Sequence, residues 1–351
     1  MIIADPFLQK NGLIQRITQP LQQEQNQIEL FTEIIPDPPI ETVVAGIEVL
    51  EKNKPEVLIA VGGGSAIDTA KAMLYFAQKT QKIGNPVFVA IPTTSGTGSE
   101  VTNFSVITDR QKGTKYPLVA DEMLPNIAIL STELVKALPQ KIIADTGMDV
   151  LTHALEAMVS TKANEFSDAL AEKAAALVFS YLSQSYQESE NLTAKKQMHI
   201  ASCLAGLAFN QTSLGVNHSI AHVLGAKFHI PHGRANAILL PHVISFNANI
   251  TGFSRSDYHP CAEKYAAFAR QMGWGSATVK TSVQNLIQRI KRLQKQLHLP
   301  GNLQDCGIPQ QDYEKELSAT AELVLQDGCL ATNPRKVNKA DILALLKDVY
   351  C

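Results

Sequence analysis

Two domains are predicted, an α/β domain over residues 1–137 and an all-helical domain over residues 138–351. Three observations predict them. Strand-like and helix-like segments alternate over the first part of the chain. Glycine-bearing polar turns follow two of the strand-like segments. Beyond Pro139 strand signals nearly vanish and helical periodicity takes over.

The elements follow in order. "MIIAD" reads as a short buried strand, followed by a helix over Leu13 to Gln25 and a strand at "IELFTEI". "PDPP" is a turn, and "ETVVAGIEVLEKN" is an amphipathic helix with Val43, Val44, Ile47 and Leu50 on one side. "EVLIAV" is a buried strand and "SAIDTAKAMLYFAQ" a helix. "NPVFVAIPTTSGTGSE" is a strand running into a polar loop, and "YPLVADEMLPNIAIL" suits two more short strands. Such alternation implies a parallel sheet covered on both faces. Nine helical segments follow: 145–159, 163–184, 194–213, 214–226, 235–248, 259–272, 276–297, 310–326 and 339–350. No Ser/Gly/Pro-rich linker separates the two parts, so closely packed domains with a cleft between them are expected.

Composition removes several classes. A charged fraction of 18% with a formal charge of -2, and no basic run, argues against nucleic acid or an acidic membrane surface as partner. Five cysteines without CxxC spacing suit reduced thiols in a cytoplasmic protein. No apolar run reaches the length of a membrane span, and the N-terminus lacks the features of a signal peptide.

Two stretches suit a nucleotide. In "VLIAVGGGSAIDTAKA", Gly62, Gly63 and Gly64 leave room for a diphosphate at a helix N-terminus. Ser65 suits the N-cap there, and Asp68 completes a capping-box pattern. The pattern is neither GxGxxG nor a Walker motif, and an ordinary tight turn explains it equally well alone. In "IPTTSGTGSEVT", Thr93, Thr94, Ser95, Thr97 and Ser99 gather hydroxyls around Gly96 and Gly98, where α/β sheets hold ligands. Two such loops after two strands favour a nucleotide over two ordinary turns. Asp5 ends the first strand, where a carboxylate can bind a ribose 2′-OH; an acid that merely terminates a strand is the competing reading. Lys115 could meet a phosphate or ribose, against the simpler reading of a solvated lysine.

A second pattern suits a metal. In "TGMDVLTHALEAM", Asp149 and His153 lie one turn apart on a mostly apolar helix. An acid that orients a histidine would explain the pair; two ligands on one rigid helix would also. "NHSIAHVLGAKFHIPHGRAN" then holds His218, His222, His229 and His232, four of the nine histidines in the chain. Imidazole and carboxylate donors without nearby cysteine suit a catalytic first-row ion, Fe²⁺ or Zn²⁺.

Together these stretches, with "PDPP" and the terminal "TNPR", resemble the iron-containing (group III) alcohol dehydrogenase family over nearly the whole chain. "KGTKYPL" and "SDALAEKAAALVFSYL" are most similar to its 1-propanol dehydrogenases of bacterial 1,2-propanediol breakdown. The resemblance implies a Rossmann-like domain plus a helical domain, the dehydroquinate synthase-like architecture. It implies that Asp149, His153, His218 and His232 bind one divalent ion, Fe²⁺ ahead of Zn²⁺. It places His222 beside substrate and nicotinamide without being a ligand, and makes Phe209 a pocket aromatic. It implies that Asp5, Asp37, Gly62, Gly63, Gly64, Ser65, Asp68, Thr93, Thr94, Ser95, Thr97 and Lys115 hold NAD(H). The expected partners are a small aldehyde or alcohol and a second copy of the chain, in the cytoplasm or a bacterial microcompartment. Family members carry a β-hairpin before the strand on which this chain starts, which predicts an exposed sheet edge or an altered dimer. Val223 stands where the family commonly has proline. Sister activities on lactaldehyde, butanol or glycerol remain open at this level. So do a metal-dependent hydrolase or lyase of a phosphorylated substrate and a binding-only protein.

Overall fold

The computed structural model describes residues 1–110, 114–250 and 257–351, with the side chains of 114 and 115 also outside that description. Two compact units are present, Met1–Leu138 and Pro139–Cys351.

The first unit runs β1 (Ile2–Ala4), α1 (Pro6–Lys10), α2 (Leu13–Gln23), β2 (Leu30–Phe31), α3 (Ile40–Asn53), β3 (Val57–Gly62), α4 (Gly64–Lys79), β4 (Val87–Pro92), β5 (Phe104–Asp109), β6 (Thr114–Val119), β7 (Ile127–Ala128) and α5 (Thr132–Val135). A five-stranded sheet has the order β2-β1-β3-β4-β7 with every neighbour parallel. Alternation along the strands divides its apolar residues between two faces. Ile3, Leu58, Ala60, Phe88 and Ala90 pack with Leu50, Ile67 and Met73 of α3 and α4. Ile2, Ala4, Val61, Val89 and Ile91 pack with Leu8 and Ile14 of α1 and α2. Burial on both faces is what an all-parallel sheet requires.

Three details differ from the sequence reading. The helix expected to reach Gln25 ends at Gln23, because Gln25 adopts a left-handed backbone with φ of 59°. The strand expected over "IELFTEI" pairs only through Leu30 and Phe31, as suits a short edge strand. Between β4 and β7 lies an antiparallel hairpin, β5–β6, paired from Phe104↔Val119 to Asp109↔Thr114. Its first strand was not expected, since the segment follows a turn-rich loop and Val106-Ile107 and Thr108-Asp109 break the polar–apolar alternation of a strand.

The second unit holds α6 (Gln140–Val159), α7 (Glu165–Gln187), α8 (Leu192–Thr212), α9 (Val216–Phe228), α10 (His232–Ala248), α11 (Cys261–Gln271), α12 (Val279–Gln296), α13 (Gln310–Leu325) and α14 (Lys339–Asp348). Asn164 and Ser167 form a reciprocal capping box that starts α7. α6 is buried on every side from Gly147 to Val159, so it is a central helix rather than a surface one. Glycines permit its close packing. A Cβ on Gly147 would lie 2.2 Å from Leu182, and one on Gly233 would lie 2.0 Å from the Asp145 carbonyl oxygen. Among the described residues, no helix is long and apolar enough to cross a membrane.

Candidate active site

α6 carries Asp149 and His153 on one face, each 4% exposed. Because α6 is buried all round, both are held away from water and neither can simply turn outward. α9 contributes His218, 1% exposed. Asp149, His153 and His218 offer ligand atoms that all lie within 4.8 Å of one another. His232, the first residue of α10, places Nε2 3.5 Å from Asp149 Oδ1, and His218 Nε2 lies 3.6 Å from the same oxygen. Four side chains from three helices thus converge. Gly233 makes this possible, since any larger residue would drive the start of α10 away from α6.

His222 sits one turn beyond His218 on α9. Its ring stacks on His232 at 5.3 Å and meets His218 edge-on at 6.0 Å. Phe209 of α8 stacks on His153 with ring centroids 4.5 Å apart. His229 takes no part: it is exposed and ends α9 in a left-handed conformation. One of the four clustered histidines is therefore a helix cap.

Residues overlooked in the sequence hold these groups in place. Glu156 Oε2 lies 2.5 Å from His218 Nδ1, and its Oε1 accepts from the Asn217 N–H at 2.8 Å. Asn236 Nδ2 lies 2.6 Å from Asp149 Oδ1 and 3.1 Å from the Nε2 atoms of both His218 and His232. Asn217 Nδ2 donates to Asn236 Oδ1 at 2.8 Å and so fixes that amide. Asp327 Oδ2 lies 2.9 Å from His222 Nδ1, and Asp327 Oδ1 accepts from Ser219 Oγ and from the Cys329 N–H. Glu156 and Asn236 could have been found by helical spacing, being one turn from His153 and His232. Asp327 lies 105 positions from His222 and leaves no local signal.

The electrostatics are those of a cation site. Burial pushes Asp149 up, but the surrounding His153, His232 and His218 outweigh it and hold the carboxyl well below its ordinary range. Burial pushes His218 down, yet the carboxylates of Asp149 and Glu156 raise it to about 9. An entering cation must displace that proton. Burial likewise pushes Asp327 up, and His222, the Cys329 N–H and Ser219 reverse it, leaving a carboxylate. One carboxylate and three imidazoles, with no sulfur among them, fit a first-row divalent ion.

In the first unit, the glycine turn and the hydroxyl loop meet. A Cβ on Gly63 would lie 3.3 Å from Thr94, and one on Gly64 would lie 2.8 Å from Thr97. Gly62 has φ of 159°, and a Cβ there would lie 2.5 Å from that of Ala66. The Thr93 N–H donates to the Gly62 carbonyl at 2.9 Å. Thr93 and Ser95 are each 8% exposed. The Asp5 N–H donates to the Val61 carbonyl, while Asp5 Oδ1 accepts from Phe7 N and caps α1. Asp37 has a left-handed backbone in the turn before α3. Lys115 pairs with Thr108 in the hairpin, and its side chain lies outside the described residues.

The capping box expected from Ser65 and Asp68 is absent. Gly63, in an extended conformation, is the N-cap of α4, and Ser65 is already helical. Asp68 instead accepts from Ser99 Oγ at 2.5 Å and from the Val106 N–H at 3.0 Å, which ties the hydroxyl loop and hairpin to α4. Lys71, 0% exposed, completes that tie by donating to Thr102 Oγ1 and the Phe104 carbonyl.

Comparison with known proteins agrees with this geometry. The family described as iron-containing alcohol dehydrogenase matches residues 1–132, and its C-terminal counterpart matches residues 143–350. The chain is 45% identical to the 1-propanol dehydrogenase PduQ of Salmonella typhimurium, over 99% of this chain and 92% of that one. Its structure superimposes on a 1,3-propanediol oxidoreductase with a TM-score of 0.90 at 33% identity, covering 99% of this chain and 91% of the other. It also superimposes on a sulfoacetaldehyde reductase from Bifidobacterium kashiwanohense, solved with NAD+, with a TM-score of 0.85 at 29% identity, covering 99% and 90%. The chain belongs to the iron-containing alcohol dehydrogenase family and is an oxidoreductase that interconverts alcohol and aldehyde.

Proposed function

We propose that this protein interconverts propionaldehyde and 1-propanol with NAD(H) and one divalent ion, iron in preference to zinc. The convergence of Asp149, His153, His218 and His232 carries the proposal. These four side chains would hold the ion, with Glu156 and Asn236 fixing ring orientation. When bound, the ion supplies Lewis acidity toward the substrate oxygen and the dinucleotide supplies the hydride.

The chain's own residues do the rest. Asp327 at His222 Nδ1 sets the ring's orientation and tautomer, which leaves Nε2 to pass a proton to or from the substrate oxygen. Phe209, stacked on His153, offers an apolar wall suited to a short alkyl chain. Gly62, Gly63, Gly64 and Ser65, with Thr93, Thr94, Ser95 and Thr97, would receive the diphosphate, and Asp37 and Lys115 would border the nucleotide. Asp5 Oδ2, which makes no hydrogen bond among the described residues, would take a ribose 2′-OH and repel a 2′-phosphate. The kinship with a 1-propanol dehydrogenase favours the propyl substrate. A homodimer in the cytoplasm or in a microcompartment is part of the same proposal.

The test is anaerobic metal analysis of the purified protein together with a panel of aldehydes against NADH and NADPH. The expected result is about one ion per chain and the highest kcat/KM for propionaldehyde with NADH. His218→Ala should lose both the ion and turnover yet retain NADH binding. Full activity after chelation and dialysis would refute the reading.

A further inference from the structure

A second group of ligand-type atoms lies outside the first. His222, Asp327 and Cys329 bring a ring nitrogen, a carboxylate oxygen and a thiol to within 4.8 Å of one another. His222 Nδ1 and Asp327 Oδ2 are 2.9 Å apart. Tetrahedral coordination would need these two atoms to separate by only a few tenths of an ångström, given Zn–N and Zn–O lengths of about 2.0–2.2 Å.

The group is built rather than loose. Asp327 Oδ1 is fixed by Ser219 Oγ at 3.0 Å and by the Cys329 N–H at 2.9 Å, which leaves Oδ2 facing the histidine. The Asp327 and Cys329 side chains come from one short 3₁₀ turn and its cap, Asp327 to Thr332, and face α9. The side chains of His222 and Asp327 are 27% and 18% exposed, so a small ion can reach them.

We propose that His222, Asp327 and Cys329 form a second, inhibitory cation site that takes a thiophilic divalent ion such as Zn²⁺ or Cd²⁺. The donor set separates it from the first group. That group holds only nitrogen and oxygen, whereas sulfur here selects soft and borderline ions. Burial pushes the Cys329 thiol well above its ordinary value, so only an ion with strong affinity for sulfur displaces its proton. Coordination at Nδ1 breaks the bond between His222 and Asp327 and removes His222 from proton transfer. This inhibitory consequence rests on the role given to His222 above; the site itself does not.

The test titrates Cd²⁺ into the anaerobic, iron-loaded enzyme and records thiolate-to-cadmium charge-transfer absorption alongside turnover. Wild type should develop the band as turnover falls. Cys329→Ser and Cys329→Ala should keep basal turnover, lose the band and need on the order of 100-fold more cadmium for inhibition. Exchange of iron for cadmium in the first group gives no such band, because that group contains no sulfur. No band in wild type, or a band that survives in both variants, overturns the site. A band that depends on Cys329 while turnover is unaffected overturns the inhibition and with it the role of His222.

Discussion

Replacing Glu156 by Gln probes whether the four converging side chains hold a cation. In the structure, Glu156 makes two contacts that a glutamine would meet differently. Its Oε1 accepts from the Asn217 N–H, a role the glutamine carbonyl can keep. Its Oε2 faces His218 Nδ1 at 2.5 Å, where the glutamine would present an NH₂. An NH₂ there demands an acceptor, so the ring proton moves to Nε2, the atom that points at Asp149 and that a cation would need. The glutamate contact is a charge-assisted bond that contributes about 1.5–3 kcal/mol, and the variant forfeits it whenever a cation at Nε2 holds the ring proton at Nδ1. At about 1.4 kcal/mol per tenfold, metal affinity should fall roughly 10–100-fold. The assay is competition of the metal-free protein against a chelator of known affinity, at fixed pH and without oxygen. Glu156 is 3% exposed and the change is nearly isosteric, so the far-ultraviolet circular dichroism should not change. An affinity equal to wild type would refute the argument that Glu156 acts on the cation through His218.

Three further outcomes are expected. Gly233→Ala places a Cβ 2.0 Å from the Asp145 carbonyl oxygen, so α10 must shift; metal content should drop and unfolding should come about 1–3 kcal/mol earlier in a urea titration. Gly64→Val should push the glycine turn off Thr97 and weaken NADH binding measured by fluorescence, with metal content intact. Burial raises Glu100 to about 7, only partly offset by a backbone hydrogen bond and the charge of Lys71, and lowers Lys71 to about 8, only partly offset by Asp68 and then Glu100. For Glu100 the charged form is the disfavoured one, so stability is greatest below its ordinary value of 4.5 and falls as pH rises to about 7, by on the order of 3 kcal/mol. For Lys71 the penalty on the charged form is present below about 8 and is relieved as pH climbs to 10.5. Denaturant unfolding across this range should show the minimum between the two, and Glu100→Gln should flatten its acidic limb; an unchanged limb would contradict the assignment.

The convergence of the ligand-type groups was partly legible because helical spacing is a local property. Asp149 and His153 share a face whatever α6 packs against, and the same holds for His218 and His222. The chemistry of the donors likewise does not depend on the fold. The capping reading of Ser65 and Asp68 failed for the opposite reason. A Ser-x-x-Asp pattern is compatible with a box, but Ser99 and Val106, more than thirty positions away, compete for the carboxylate and win. Strand β5 was missed because pairing with β6, rather than the residues of β5 alone, makes that segment extended.

Periodicity, glycine-bearing turns and the types of donor side chain were determined by the chain order alone, and with them the α/β-then-helical plan and the kind of ion that could bind. Spacing alone does not choose between His229 and His232; tertiary structure brings His232 to Asp149 while His229 ends a helix, and it alone decided that Glu156, Asn236 and Asp327 orient the rings. The reason is physical. Propensity and spacing act over a few residues, whereas the orientation of a buried imidazole is set by whichever distant carboxylate or amide the packing brings to its other nitrogen.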